Sequence, residues 1–182
     1  MNKTYILAES DSGLVIIDQH AAEERVNFER FMKQFKDGNL AVQKLIKPAL
    51  MEFTILEANV IRENLDFLKK MGYELDEYSE NTFMLRTVPD VFNKIYDKNF
   101  MLELVEELEV SSNELEAVKE EKIASKACRK SVKAGDVLNL IEMKALYDKL
   151  GECEQPYNCP HGRPSIINIP ISELERKFKR VV

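Results

Sequence analysis

Apolar and polar positions alternate along "KTYILAES", and a second apolar run, "LVIID", follows the turn residues "DSG". A period of two broken by a short turn predicts a hairpin, Tyr5 to Ala8 against Leu14 to Asp18. The period then changes. In "AAEERVNFERFMKQF" the apolar residues Val26, Phe28, Phe31, Met32 and Phe35 recur at helical spacing, and "DGN" ends the run. "LAVQKLIKPALMEFT" reads as extended chain interrupted by Pro48. "ILEANVIRENLDFLKKMGY" reads as one amphipathic helix with Val60, Ile61, Leu65 and Leu68 on one face and Gly72 past its end.

"YELDEY" and "TFMLRTVP" flank the turn "SEN" and predict a second hairpin. "FMLELVEELEV" is a short acidic helix. "SSN" offers an N-cap for "ELEAVKEEKIASKACRKSVKAG", which Gly135 closes. Asp136 is placed to cap a further helix, "VLNLIEMKALYDKL", stopped by Gly151. The tail "SIINIPISELERKFKRVV" reads as a short strand followed by a polar, basic segment. Strands and helices mix throughout, so the fold class expected is α/β (α+β). The middle has enough elements for a small unit of its own. We expect a discontinuous subdomain, 1–42 and 121–182, with a second subdomain, 43–120, inserted into it.

Composition narrows the function classes. Of the 182 residues, 45% are hydrophobic and 32% charged, which is ordinary for a globular protein. No apolar run reaches the roughly 18 residues of a membrane span, and the start "MNKTYILAES" does not read as a signal peptide. The formal net charge of -6 makes the chain a poor unaided binder of nucleic acid, since phosphate contacts supply most of that affinity. Three cysteines without a secretion signal argue against a disulfide framework and leave metal ligands or buried thiols.

Three segments carry unusual residue types. In "DQHAAEER", Asp18 ends a strand, and His20 and Glu24 share a helix face at a spacing of four, a geometry that places two ligands on one ion. An acid-rich first helical turn explains the same residues. In "NCPHGRP", Cys159 and His161 point to one side of extended backbone, with Pro160, Gly162 and Pro164 stiffening an irregular loop. A surface turn and a ligand pair both fit. In "ACRKSVKAG", Cys128 lies among small residues, where a packed thiol is the commoner role. Together, Asp18, His20, Glu24, Cys128, Cys159 and His161 exceed the four ligands of a closed zinc site. Thiolate and imidazole favour zinc, and carboxylates add ligands suited to manganese or magnesium. A mixed site with room for a second ion is the apparatus of in-line phosphodiester hydrolysis.

These segments resemble motifs of the C-terminal endonuclease and dimerisation domain of the MutL family of DNA mismatch repair proteins. The family's first motif is matched by Asp18, Gln19, His20, Ala21, Glu24 and Glu29 in "DQHAAEERVNFE". Ala127, Cys128 and Arg129 match its alanine-cysteine-arginine motif, and Cys159 to Pro164 match its cysteine-proline-histidine-glycine-arginine-proline motif. Phe178 and Arg180 match a phenylalanine-x-arginine motif near the end. The middle matches only loosely. "QKLIKP" there is similar to the clamp-binding pattern of bacterial MutL proteins, with Gln43, Leu45, Ile46 and Pro48 at its defined positions.

The resemblance implies metal-dependent nicking of one strand of duplex DNA. It assigns Asp18, His20, Glu24 and Glu29 to catalysis, Glu29 as a group that orients ligands. Zn2+ is implied as a structural or regulatory ion, Mn2+ or Mg2+ as the catalytic one, and no nucleotide on this fragment. Arg129, Arg163 and Arg180 would hold DNA phosphate or order the site. A homodimer, duplex DNA bound weakly, a sliding clamp and other mismatch repair proteins are the implied partners, with no membrane. The location implied is cytoplasmic, at the nucleoid, and the chain reads as a C-terminal fragment beginning at an added Met1. The rival expectation is a non-catalytic zinc-binding dimerisation and clamp-binding module.

Overall fold

A computed structural model describes residues 4–92, 98–131 and 138–180. Its elements run β1 (Tyr5–Ser10), β2 (Gly13–Asp18), α1 (Gln19–Lys36), β3 (Val42–Glu52), α2 (Ile55–Glu63), α3 (Leu65–Lys70), β4 (Leu75–Ser79) and β5 (Thr82–Pro89). After a short 3-10 turn, Asp90–Phe92, come α4 (Lys98–Val110), α5 (Glu116–Ser131), α6 (Leu140–Gly151), β6 (Ile166–Pro170) and α7 (Ile171–Lys177). The fold is mixed α/β with two antiparallel three-stranded sheets. The chain divides into two compact units, 1–29 with 132–182, and 30–131. The sequence boundaries at 43 and 120 are narrower: the contiguous unit also takes in the end of α1 and α5 through Ser131.

In the discontinuous unit the sheet order is β1-β2-β6. The hairpin pairs Tyr5 with Asp18 through Ser10 with Gly13, and β6 pairs along the other edge of β2, from Gly13 with Pro170 to Ile17 with Ile166. Gly13 has φ +146°, and a Cβ there would lie 2.1 Å from the Ile169 carbonyl oxygen. Close approach of β6 therefore requires glycine at this turn. Ile17, Ala22, Leu146 and Leu150 form the apolar cluster, with Ile6, Val15, Val26 and Ile166 packed against it. Alternation along β2 and helical spacing along α1 and α6 thus converge on one core.

In the contiguous unit the sheet order is β3-β5-β4. Phe83, Leu85, Ile61, Leu68, Tyr73 and Phe100 are among its large buried side chains. α2 opens on a capping box: Thr54 Oγ1 accepts from the Glu57 amide, and the Glu57 carboxylate accepts from the Thr54 amide. The helix expected as one piece breaks at Asn64, whose Nδ2 donates to the Val60 carbonyl at 2.7 Å. That side chain takes a carbonyl the helix ladder would otherwise use. A second difference lies at α6, which Asn139 caps, accepting from the amides of Ile141 and Glu142. The proposed cap Asp136 and the proposed stop Gly135 lie outside the described residues.

Candidate metal centre

The site begins where β2 hands over to α1. The Asp18 amide donates to the Ser165 carbonyl at 2.9 Å, and the Gln19 amide to the Thr4 carbonyl at 3.0 Å. Asp18 Oδ1 accepts from the Ala21 amide at 3.0 Å, an N-cap arrangement on the first turn of α1. One turn later Glu24 is fully buried. Its Oε1 lies 3.0 Å from His20 Nε2, and its Oε2 lies 3.0 Å from His161 Nδ1. One guanidinium nitrogen of Arg163 donates to both oxygens, at 2.9 and 3.0 Å. Burial pushes the Glu24 carboxyl up. The hydrogen bonds from Arg163, His161 and Cys159, with the Arg163 charge, outweigh it and hold the group below the usual carboxylate range.

The loop carrying Cys159 and His161 is tied back on itself. An isolated antiparallel bridge joins Asn158 to Pro164, the Cys159 amide donates to the Arg163 carbonyl at 2.8 Å, and Gly162, at φ +82°, donates to the Cys159 carbonyl at 2.9 Å. This tight loop sets the buried Cys159 thiol 4.0 Å from His161 Nδ1. Ligand atoms of Glu24, Cys159 and His161 all lie within 4.8 Å of one another. A carboxylate, a thiol and an imidazole form a donor set suited to zinc. His20 Nδ1 is buried and has no hydrogen-bond partner among the described residues, while the other ring nitrogen, Nε2, faces Glu24. On both counts the residues fit a divalent ion.

α1 also anchors the approach to this loop. Glu29 accepts the amides of Glu154 at 2.7 Å and Gln155 at 3.1 Å. The buried Arg25 donates from Nε to the Asn158 carbonyl at 2.6 Å, reaches Glu29 at 3.5 Å and lies over the Phe28 ring. Glu29 therefore holds the loop by its backbone. The sequence reading gives Arg25 no role, and its spacing of four from Glu29 is the signal that marks it. Cys153 is different in kind. Burial, then the neighbouring Glu29 carboxylate, push its thiol up to about 12, so it stays protonated at neutral pH.

The structure brings together Glu24, His20, Cys159, His161 and Arg163. Asp18 lies outside the three-residue cluster, one carboxylate oxygen engaged with the Ala21 amide. Arg180 is exposed after α7, and its amide donates to the Glu175 carbonyl. Cys128 and Arg129 belong to the contiguous unit, on α5. Cys128 is fully buried there, and Arg129 is exposed. Burial, helped by the Cys128 thiol, raises the Tyr73 hydroxyl well above its ordinary value.

Gln43 to Pro48 lie in β3. Gln43 and Lys44 pair with Val88 and Thr87, and pairing resumes at Ala49 with Leu85. Four residues, Leu45 to Pro48, thus stand opposite Arg86 alone, and the strand arches. Ile46 at the arch is fully exposed.

Residues 1–138 match the family described as the MutL C terminal dimerisation domain. The chain is 36% identical over 182 residues, all of its length, to the DNA mismatch repair protein MutL of Clostridium beijerinckii. It is 38% identical over 181 residues, 99% of its length, to that of Clostridium botulinum (strain Loch Maree / Type A3), and 39% over 181 residues, again 99%, to that of Clostridium acetobutylicum. It spans 27% of the first two relatives and 29% of the third. With three-quarters of its residues inside the family match, and relatives of that one name aligned along essentially all of it, the chain belongs to the MutL C-terminal dimerisation domain family.

Proposed function

We propose that this chain is the metal-dependent endonuclease domain of a mismatch repair protein, acting as a homodimer to nick one strand of duplex DNA. The observation that carries the reading is the convergence of Glu24, Cys159 and His161, from segments up to 137 positions apart, on one spot. These three residues would hold zinc, with His20 beside them, and Asp18 would add a carboxylate for manganese or magnesium. Ions bound there would stabilise charge on the phosphodiester and supply a nucleophile at neutral pH. The chain's own residues do the rest. Arg25 and Glu29 fix the loop, and before an ion binds His20, His161 and Arg163 surround the Glu24 carboxylate.

The net charge of -6 opposes tight DNA binding, so we propose that a sliding clamp supplies it. The arch at Leu45 to Pro48 supports that role. Extended backbone there presents an exposed Ile46, the form in which short peptides enter apolar grooves. Tethering would raise the effective concentration of DNA at the site without a new contact.

The test is nicking of supercoiled plasmid with manganese, run beside zinc content. Glu24→Gln and Cys159→Ser lose both zinc and nicking; Asp18→Asn keeps zinc and loses nicking. A second reading, a non-catalytic zinc-binding dimerisation and clamp-binding module, is favoured by one observation: the Asp18 carboxylate accepts the Ala21 amide and stands outside the cluster. Nicking that survives Asp18→Asn unchanged removes Asp18 from the catalytic assignment, and a parent chain that takes up zinc but does not nick with manganese leaves this second reading.

A further inference from the structure

We infer that Arg163 and a divalent cation compete for Glu24, so that metal uptake at this site is an exchange that sets the Arg163 guanidinium free. The inference rests on the metal reading above and goes beyond it by giving Arg163 a role. Both Glu24 oxygens are already engaged: each contacts Arg163, and each lies 3.0 Å from one imidazole. An ion drawing on Glu24, Cys159 and His161 enters at a carboxylate whose two oxygens each already face the guanidinium as well as an imidazole, so it contends with Arg163 for that charge. The Glu24 side chain is 0% exposed and has no freedom to turn elsewhere, whereas the Arg163 side chain is 52% exposed. The arginine is the partner that can leave. Two like charges within a few ångströms of one carboxylate also repel, which adds to the competition.

Arg163 therefore has two functions separated in time. Before metal arrives it keeps a buried carboxylate ionised and in place, avoiding the cost of an unpaired buried charge. Afterwards its guanidinium projects beside the ion, where a planar fork matches phosphate oxygens. By reciprocity, whatever binds the freed guanidinium also tightens the metal.

The sign of the effect separates exchange from simple support. If Arg163 only props the site, removing it weakens metal binding. If it competes, removing it tightens binding. The measurement is zinc affinity of the 182-residue chain by competition with a chromophoric chelator, for the parent, Arg163→Gln and Arg163→Lys. Arg163→Gln is expected to bind zinc roughly fivefold or more tightly than the parent, in the range of ordinary coupling between sites. Arg163→Lys, which keeps the charge but loses the fork, falls between them. Equal or weaker affinity in Arg163→Gln overturns the exchange.

Should Arg163→Gln fail to fold, the parent protein decides. Modification of Arg163 by phenylglyoxal, located by peptide mass, is expected to rise as zinc is added. Unchanged or reduced modification overturns the proposal. The two levels separate cleanly. No zinc uptake by the parent removes the metal reading and the exchange with it. Uptake that Glu24→Gln abolishes and Arg163→Gln leaves unimproved removes the exchange alone.

Discussion

In the discontinuous unit the buried positions include Gln19, Glu24, Arg25 and Ser165, around an apolar cluster as small as Ile17, Ala22, Leu146 and Leu150. Among the described residues of the contiguous unit the buried polar ones are Thr87 and Ser111, set among Phe83, Phe100, Tyr73, Leu85, Met101 and Leu104. Burying an ion costs several kcal/mol before any partner repays it. A unit that buries both Glu24 and Arg25 forgoes apolar contact it could have had. Those charges are the ones that assemble and fix the Glu24, Cys159 and His161 cluster. The contiguous unit has no buried Asp, Glu, Lys or Arg among its described residues, and it exposes its apolar feature, Ile46, on an arched strand. Chemistry and conventional core are thus placed in different units of one chain.

The largest expected effect lies at the Glu24 cluster. Glu24→Gln removes the charge that His20, His161 and Arg163 all face. Zinc affinity and nicking should fall by about 100-fold or more, beyond the 10- to 100-fold typical of groups around a ligand. Retained zinc would mean the cluster is an ion-pair network alone. Next is the opposite unit. Phe83→Ala should cost about 3–5 kcal/mol in denaturant unfolding, as for other fully buried aromatic rings. At temperatures where the variant stays folded, zinc uptake should match the parent. A matching loss of zinc would show the two units to be energetically inseparable.

Arg25→Ala should cost about 1.5–3 kcal/mol, the range for a hydrogen bond involving a charged group. It should also weaken zinc binding, because the Asn158 carbonyl that it holds precedes Cys159. Stability lost with zinc affinity untouched would make it a packing residue. Smaller still is Glu107, which accepts from Ser111 at 3.0 Å and pairs with Lys126 at 3.0 Å. Burial raises its carboxyl, but these bonds and the charges of Lys126 and Lys122 hold it below the ordinary 4.5. A depressed folded value stabilises above the unfolded value and is lost as pH falls through the folded one. Glu107→Gln should therefore lower stability by up to about 1 kcal/mol at pH 7, with the gap closing below pH 4.5. A gap independent of pH would deny the linkage. Least of all, Ile46→Ala should change stability by less than about 0.5 kcal/mol while weakening capture by a sliding clamp. Clamp binding that ignores the change would dismiss the arch as a docking strand.

Much of the secondary structure was legible because its signal is local. Alternation in "KTYILAES" and "LVIID" produced β1 and β2, and spacing in "AAEERVNFERFMKQF" produced α1. The break at Asn64 was not legible, since it depends on one side chain competing for the Val60 carbonyl. Nor was the cap at Asn139, where Asp136 was an equal candidate by type. At the site, His20, Glu24, Cys159 and His161 could be picked out by chemistry and spacing, whereas Glu29 was implied by the family resemblance. The role of Arg25 could not, because it donates to a backbone carbonyl 133 positions away.

By itself, then, the sequence determined which stretches become strand or helix and which side chains are capable of holding an ion. Both properties are written within a few residues. Only the tertiary structure decided that Glu24 meets Cys159 and His161, that Arg163 already answers its charge, and that Asp18 turns to the Ala21 amide. The physical reason is that these meetings require distant chain to be paired first. β6 must register on β2, and Arg25 and Glu29 must seize the loop before it, and no local pattern encodes either closure.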